Sequence, residues 1–197
     1  TALYVAAQNN KPNVVQCLCE ANANVNAIGR VYGGLKWTPT PLTEAVFRGH
    51  VDVIKFLLKY GNDIDLEMHD GKGQTPLFWA VAKNRPDIVE ILCKAGAKVN
   101  IYGGYSRHET PLTKAAINGY AEVVKSLLKY GKGIDIEMRA QGYPYTGTPL
   151  YLAALRNHTE VVEILCDYGA DLEARGGPFD ETPIKVAITQ KNYEAEK

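Results

Sequence analysis

The hexapeptide Thr75-Pro76-Leu77-Phe78-Trp79-Ala80 recurs in variant form on both sides of itself. Its copies are Thr1-Ala2-Leu3-Tyr4-Val5-Ala6, Thr40-Pro41-Leu42-Thr43-Glu44-Ala45, Thr110-Pro111-Leu112-Thr113-Lys114-Ala115, Thr148-Pro149-Leu150-Tyr151-Leu152-Ala153 and Thr182-Pro183-Ile184-Lys185-Val186-Ala187. The leading threonines stand 39, 35, 35, 38 and 34 positions apart. A recurrence of this length marks a stack of supersecondary units, each too small to bury its apolar face alone.

Each copy reads as the start of a helix. Thr caps an N-terminus with its hydroxyl, and Pro fits the first helical position, where no N–H is missed. In the second copy Leu42, Ala45 and Val46 lie on one face, and Gly49 ends the helix in the left-handed conformation. Asn10, Asn84, Gly119 and Asn157 stand at the same offset, and Asn is the next residue after Gly to accept that conformation. A second helix follows, with Asp52, or Asn13, Asp87, Glu122 and Glu160, in its first turn, where an acidic group suits the dipole. Pro12 and Pro86 mark its start in two copies. Val53, Ile54, Leu57 and Leu58 form its apolar stripe, and the other copies repeat the pattern. Gly61, Gly96, Gly131 and Gly169, with Asn22 in the first copy, are expected to close it. A short extended stretch and a polar turn, here called a finger, then lead to the next Thr.

Composition bounds the function. The 197 residues carry 22 basic and 22 acidic side chains, so the formal net charge is zero, which argues against a general nucleic-acid or membrane-surface binder. No apolar run reaches the ~18 residues of a membrane span. Three of the four cysteines, Cys19, Cys93 and Cys166, lie 18 residues after a repeat Thr, a repeat or more apart, beyond the ~7 Å that a disulfide allows. Cys17 and Cys19 point to different faces of one helix. They read as small buried apolar residues with free thiols, which favour a reducing compartment, and the expected location is the cytoplasm, with the nucleus as the alternative.

The Thr-Pro-Leu starts, Gly49-His50, the Val-Val/Leu-Leu second helices, Gly96-Ala97 and Gly169-Ala170-Asp171 together resemble the ankyrin repeat family, over essentially the whole chain. The resemblance implies an all-α solenoid: antiparallel helix pairs joined by β-turn fingers, stacked in a curve with a groove formed by fingers and first helices. The repeats fall at about 1–39, 40–74, 75–109, 110–147, 148–181 and a partial 182–197, read as one domain. Lacking a polar capping repeat at either end, the chain is expected to be a segment of a longer array, monomeric, with a tail that frays after Gln190. The family places His50 and His158 in a structural hydrogen-bonding role. It also places Asn26 and Asn100 where asparaginyl hydroxylases act in some members.

Two features go beyond the standard pattern. The repeats alternate. The second and fourth share Thr-Pro-Leu-Thr, Leu-Leu-Lys-Tyr-Gly and Glu-Met, whereas the others share an aromatic at Tyr4, Phe78 and Tyr151 and a Leu-Cys pair, so the unit of repetition reads as a pair of repeats unless the likeness is coincidental. The fingers are also long. They carry Tyr32, Trp37, Tyr105, Tyr143 and Tyr145 among glycines, which suits a recognition surface, although solvated turns also tolerate insertions.

The fourth and eighth residues after each Thr are one turn apart and share a face, which the family turns toward the groove. These are Val5/Asn9, Glu44/Arg48, Trp79/Lys83, Lys114/Asn118 and Leu152/Arg156, with Phe47, Ala82, Ile117 and Leu155 in the adjacent row. The expected partner site is therefore an aromatic centre at Trp79, beside Phe47, with basic edges at Arg48, Lys83, Lys114 and Arg156. It would take a protein or peptide with an apolar anchor and acidic residues. The alternatives are packing between repeats for Trp79 and a solvated face for the basic residues. No phosphate loop, metal-ligand spacing or convergent catalytic group is apparent, so neither enzyme activity nor a cofactor is expected. The leading function is a protein-interaction scaffold. The alternative is a regulatory or recruiting segment of a larger protein, such as a channel, a ubiquitin-ligase adaptor or a host-directed effector.

Overall fold

Each repeat threonine folds as a cap before it does anything else. In the computed structural model, which describes residues 1–29, 38–103, 108–142 and 145–195 (without the side chains of 145 and 190–195), the hydroxyls of Thr1, Thr40, Thr75, Thr110 and Thr148 accept the backbone N–H three residues on. This satisfies an end donor that no residue within the helix can reach. The first helices are α1 (Ala2–Gln8), α3 (Pro41–Arg48), α5 (Pro76–Ala82), α7 (Pro111–Ile117), α9 (Pro149–Leu155) and α11 (Pro183–Ala195), the last running past Gln190. The second helices are α2 (Pro12–Glu20), α4 (Val51–Tyr60), α6 (Pro86–Lys94), α8 (Ala121–Tyr130) and α10 (Thr159–Asp167). Strands β1 (Ala140–Gly142) and β2 (Tyr145–Gly147) pair antiparallel within the fourth finger. Among the described residues no helix is long and apolar enough to cross a membrane.

The chain divides into two compact units, Thr1–Lys98 and Val99–Lys197. In the first, α3 packs between α1 and α5, while α2 lies against α4. In the second, α9 packs between α7 and α11, while α8 lies against α10. First helices thus form one layer of each unit and second helices the other. Leu42, Val53, Ile54, Leu57, Leu77, Ile88 and Leu92 are fully buried in the first unit, and Leu112, Val124, Leu127, Leu150, Leu152 and Leu165 in the second.

The loop between the two helices of each repeat turns on a left-handed residue, as its Gly or Asn predicts: Asn10, Gly49, Asn84, Gly119 and Asn157 have φ of 51, 76, 52, 70 and 57°. At Gly49 and Gly119 a second constraint acts, because a side chain from the next repeat lies on the glycine. The Arg85 guanidinium covers Gly49, and a Cβ on Gly119 would stand 2.6 Å from His158 Nδ1. His50 and His158 meet the backbone of the preceding repeat, with Nε2 at 3.2 Å from Gln8 O and 3.0 Å from Ile117 O.

The alternation read in the sequence is present in the backbone. The second helices α4 and α8 have 10 residues, and α2, α6 and α10 have 9. The longer pair corrects one expectation. Gly61 and Gly131 do not take the left-handed turn. Their φ values are −78 and −76°, and the turn falls two residues later at Asp63 and Gly133. These glycines are needed for closeness: a Cβ on Gly61 would stand 2.5 Å from Leu57 O and 3.1 Å from Val25 Cγ1. In the 9-residue helices Asn22, Gly96 and Gly169 do make the left-handed turn.

Cys19 and Cys93 are buried, as their stripe predicts, and burial pushes the Cys93 thiol up to about 11. Cys17 and Cys166 are exposed. For Cys166 this corrects the expectation of a buried residue: Cys19 lies on α2, which packs against the second helix of the next repeat, α4, whereas no described second helix follows α10.

Candidate functional site

Fingers are joined to one another by side chains that imitate backbone. Asn26 donates from Nδ2 to Asp63 O at 2.8 Å and accepts from Asp65 N at 2.9 Å, so its amide closes a short ladder with the next finger. Asp65 in turn accepts from Glu67 N, and Glu67 Oε1 accepts from Lys98 N at 2.7 Å. The second unit repeats the device with Asn100 on Gly133 O and Asp135 N, then Glu137 Oε1 on Asp171 N. Asn26 and Asn100, the candidate modification positions, are thus both engaged through oxygen and nitrogen.

On the first-helix layer of the first unit, the structure brings Phe47, Trp79 and Lys83 together, while Arg48 turns to Glu44. Phe47 meets Trp79 edge-on, ring centroids 5.0 Å apart at 88°. Lys83 Nζ sits 4.2 Å from the Phe47 centroid and 6.0 Å from that of Trp79, while Lys72 Nζ from the second finger lies 5.7 Å from the Trp79 ring. Ammonium groups are drawn to ring faces by the aromatic quadrupole.

In the second, third and fifth repeats the shared face divides by depth. Eighth-position residues Asn9, Arg48, Lys83 and Arg156 are exposed, as expected of a groove wall. Fourth-position residues Glu44, Trp79 and Leu152 are buried, at 2, 7 and 0% exposure. The sequence placed Trp79 at the open centre of the groove. Instead the indole is closed over, and its Nε1–H donates to Asp70 Oδ2 at 2.8 Å. Asp70, itself buried, also accepts from Lys72 N at 2.8 Å and Gln74 N at 3.0 Å through Oδ1. One carboxylate therefore shapes the tip of the second finger and clamps it onto α5.

Glu44 is the second buried carboxylate of this face. Its Oε2 accepts from the Tyr4 hydroxyl at 3.1 Å, and its Oε1 from Gln8 Nε2 at 3.3 Å and from Arg48 Nε. Burial, with the Glu44 charge and hydrogen bond beside it, pushes the Tyr4 hydroxyl up to about 12. Glu44 is out of water and depends on these donors. Arg85 forks onto Asp87 at 3.0 and 2.8 Å, and that hydrogen bonding holds the Asp87 carboxyl below its ordinary range.

The remaining candidates lie elsewhere. Lys114 is half-buried on α7 and pairs with Glu109 at 3.2 Å; Arg156 is exposed at the end of α9. Both belong to the second unit, where Ile117 and Leu152 are core residues. Tyr32, Trp37, Tyr105 and Tyr143 lie outside the described residues, and of Tyr145 only the backbone is described, in β2. Asp70, Lys72, Tyr4 and Gln8 escaped the sequence reading as members of the site. The signals available were a carboxylate at Glu44, where the core wants a neutral residue, and Asp70 just ahead of the turn glycines.

A family model described as ankyrin repeats matches the chain in three copies, over residues 3–103, 68–140 and 101–176. Among curated proteins, a segment is similar to the glycerophosphocholine phosphodiesterase GDE1 of Candida albicans, 38% identical over 66 residues. That match covers 34% of this chain and only 5% of the length of that protein. Capped helix pairs, fingers and the three-copy match lead to one assignment: the chain belongs to the ankyrin repeat family.

Proposed function

We propose that this chain is a non-enzymatic module that binds a protein or peptide on the first-helix face and fingers of its first unit. Ankyrin repeats are in general protein-interaction modules, and what supports the finer reading is the arrangement at α3 and α5. Lys72 and Lys83 approach an aromatic pair of which Phe47 is half-buried and Trp79 forms the floor, and Arg48 follows Phe47 on α3. Aromatic and basic groups on a pre-organised surface are favoured for contact, because little side-chain entropy remains to be lost. Trp79 supports Phe47 in this reading and does not itself enter the partner. The preferred partner carries an apolar anchor with acidic neighbours. The two buried carboxylates, Glu44 and Asp70, are each held by three donors, an arrangement suited to rigidity and not to proton transfer.

The test is retention of partners from cell extract by the wild type and by the Lys83→Glu variant, whose exposed position at the end of α5 leaves the fold intact. A specific band retained only by the wild type supports the reading, and identical retention profiles reject it.

A second reading, a regulatory segment of a larger polypeptide, draws support from the similarity to a small piece of a much longer phosphodiesterase. The activity in that protein's name belongs to that protein. In this reading the same face would receive another part of its own polypeptide.

A further inference from the structure

We infer that an open cavity past the ends of α2 and α4 takes the guanidinium of an arginine side chain from a bound protein, with Asp63 as its ion partner. The site stands on the second-helix layer. It goes beyond the first-helix reading, and its failure leaves that reading untouched.

The cavity has a volume of about 390 Å³ and lies where α2 and α4 of the first unit give way to their fingers. Its polar lining is Asn22, Asn24, Asn62 and Asp63, above the buried Cys19 and Val25. Asn62 Nδ2 donates to Asn22 Oδ1 at 3.3 Å, which ties the two helix ends together. Asn24 Oδ1 accepts from Asn26 N, and Asn26 Nδ2 donates to Asp63 O, so both turns are set before any ligand arrives.

Charge decides what enters. A helix C-terminus carries partial negative charge, which a cation offsets. Two carboxylates add to it here: Glu20 at the end of α2 and Asp63 just beyond α4. Glu20 is bonded to the neutral Gln16 amide, and among the described residues neither carboxylate is paired with a cation. Lys59, in the last turn of α4, holds its ammonium 4.8 Å from the Tyr60 ring centroid. Burial, and after it the Glu20 charge, push up the Cys19 thiol, so that charge is felt at the cavity floor.

At the corresponding positions of the third and fourth repeats the chain carries its own cations. Positions 20, 24, 62 and 63 become Lys94, Lys98, Lys132 and Gly133. Lys94 ends α6 and Lys98 follows it, while Lys132 follows α8. The surrounding residues are retained, since Cys19, Val25 and Asn26 match Cys93, Val99 and Asn100. Lysines stand there, and carboxylates and amides stand here.

The ligand type follows from the acceptors. A guanidinium presents a flat fork of N–H donors that a carboxylate accepts in pairs, with further donors for an amide oxygen such as Asn62 Oδ1. An ammonium is compact and strongly hydrated, and an open site does not strip its water. A calcium ion is best held by several carboxylates, and this lining offers one.

The experiment uses the full chain labelled with nitrogen-15, read through the resonances of Asn22, Asn24, Asn62 and Asp63. The probes are capped tripeptides, Gly-X-Gly, with X as Arg, Lys or citrulline, and calcium chloride. The Arg peptide is expected to shift these resonances with an affinity about 3-fold above that of citrulline, its neutral isostere, the scale of an exposed ion pair. Asn24→Lys, which installs the residue of the third repeat, should erase that preference. Asp63→Asn, which suits the left-handed φ of 54°, should erase it too. Asn13→Lys, which adds the same charge in the exposed first turn of α2, should keep it. Equal binding of the Arg and citrulline peptides, an unchanged preference in Asp63→Asn, its loss in Asn13→Lys, or no shift at all overturns the site. A Lys peptide that binds as tightly as the Arg peptide, or calcium that displaces it, overturns the choice of guanidinium.

Discussion

Asp70 Oδ2 accepts the indole N–H of Trp79 at 2.8 Å, and this bond fastens a finger to the helix that follows it. The same carboxylate shapes the finger through Lys72 N and Gln74 N, so turn conformation and attachment to α5 depend on one side chain. Trp79→Phe keeps most of the ring but removes the donor, leaving a buried oxygen unpartnered. It should lower stability to urea by about 1–3 kcal/mol. Asp70→Ala added to Trp79→Phe should cost less than the sum of the two single changes, because both act on one bond. Full additivity would show that the bond contributes nothing.

Tyr4 makes the alkaline limb of stability sensitive to one hydroxyl. Its pKa stands at about 12 in the folded chain against an ordinary 10.0, raised by burial and by Glu44. Because the folded state holds this proton more tightly, the stabilisation is complete below pH 10 and is lost as pH climbs toward 12. Tyr4→Phe should therefore be less stable than the wild type at neutral pH, and the gap should close between those two values. Denaturation curves collected across that range would show it; a constant gap would contradict the assignment.

Two left-handed glycines should respond differently to substitution. Gly119 combines φ of 70° with the His158 ring pressed on it, so Gly119→Ala should cost more than about 1 kcal/mol. Gly133 has φ of 64° and open space around it, and its counterpart in the second repeat is Asp63. Gly133→Asn should change stability by no more than about 0.5 kcal/mol. Thermal melts of the two variants are sufficient to tell.

The thiols provide a check on burial. In the native chain Cys17 and Cys166 are exposed, whereas Cys19 and Cys93 are buried, with Cys93 pushed up to about 11. An alkylating reagent at neutral pH should label the first two and spare the others until denaturant is added. Mass spectrometry of the digested protein reads this directly. Early labelling of Cys93 would mean that α6 opens well below global unfolding.

What the sequence revealed and concealed follows a physical division. Local chemistry was legible. Thr at each cap, Pro at the next position, and Asn10, Asn84 and Asn157 standing in for Gly each act within a few residues, so a residue type with a period was sufficient. His50 and His158 were legible through the family pattern. Gly61 and Gly131 misled because a glycine after an apolar stripe looks the same whether it serves positive φ or close approach. Only the longer α4 and α8 decide between these. The depth of Trp79 and Glu44 was hidden for a different reason. Helical spacing tells which face a residue is on, but not whether Asp70 or Tyr4 closes over it. Those closures join positions 9 and 40 residues apart, beyond the reach of a helical period.

The central claim is that the first-helix face of the first unit is where a partner binds. A photo-activatable phenylalanine analogue at position 83 or at position 55 tests it most directly, one beside Phe47 and the other on exposed α4. Illumination in cell extract should yield a discrete covalent adduct from position 83 and none from position 55. The position-83 adduct should be competed away by excess unlabelled wild type, but not by the Lys83→Glu variant. The same adduct from both positions, or competition by the variant as strong as by the wild type, would contradict the account.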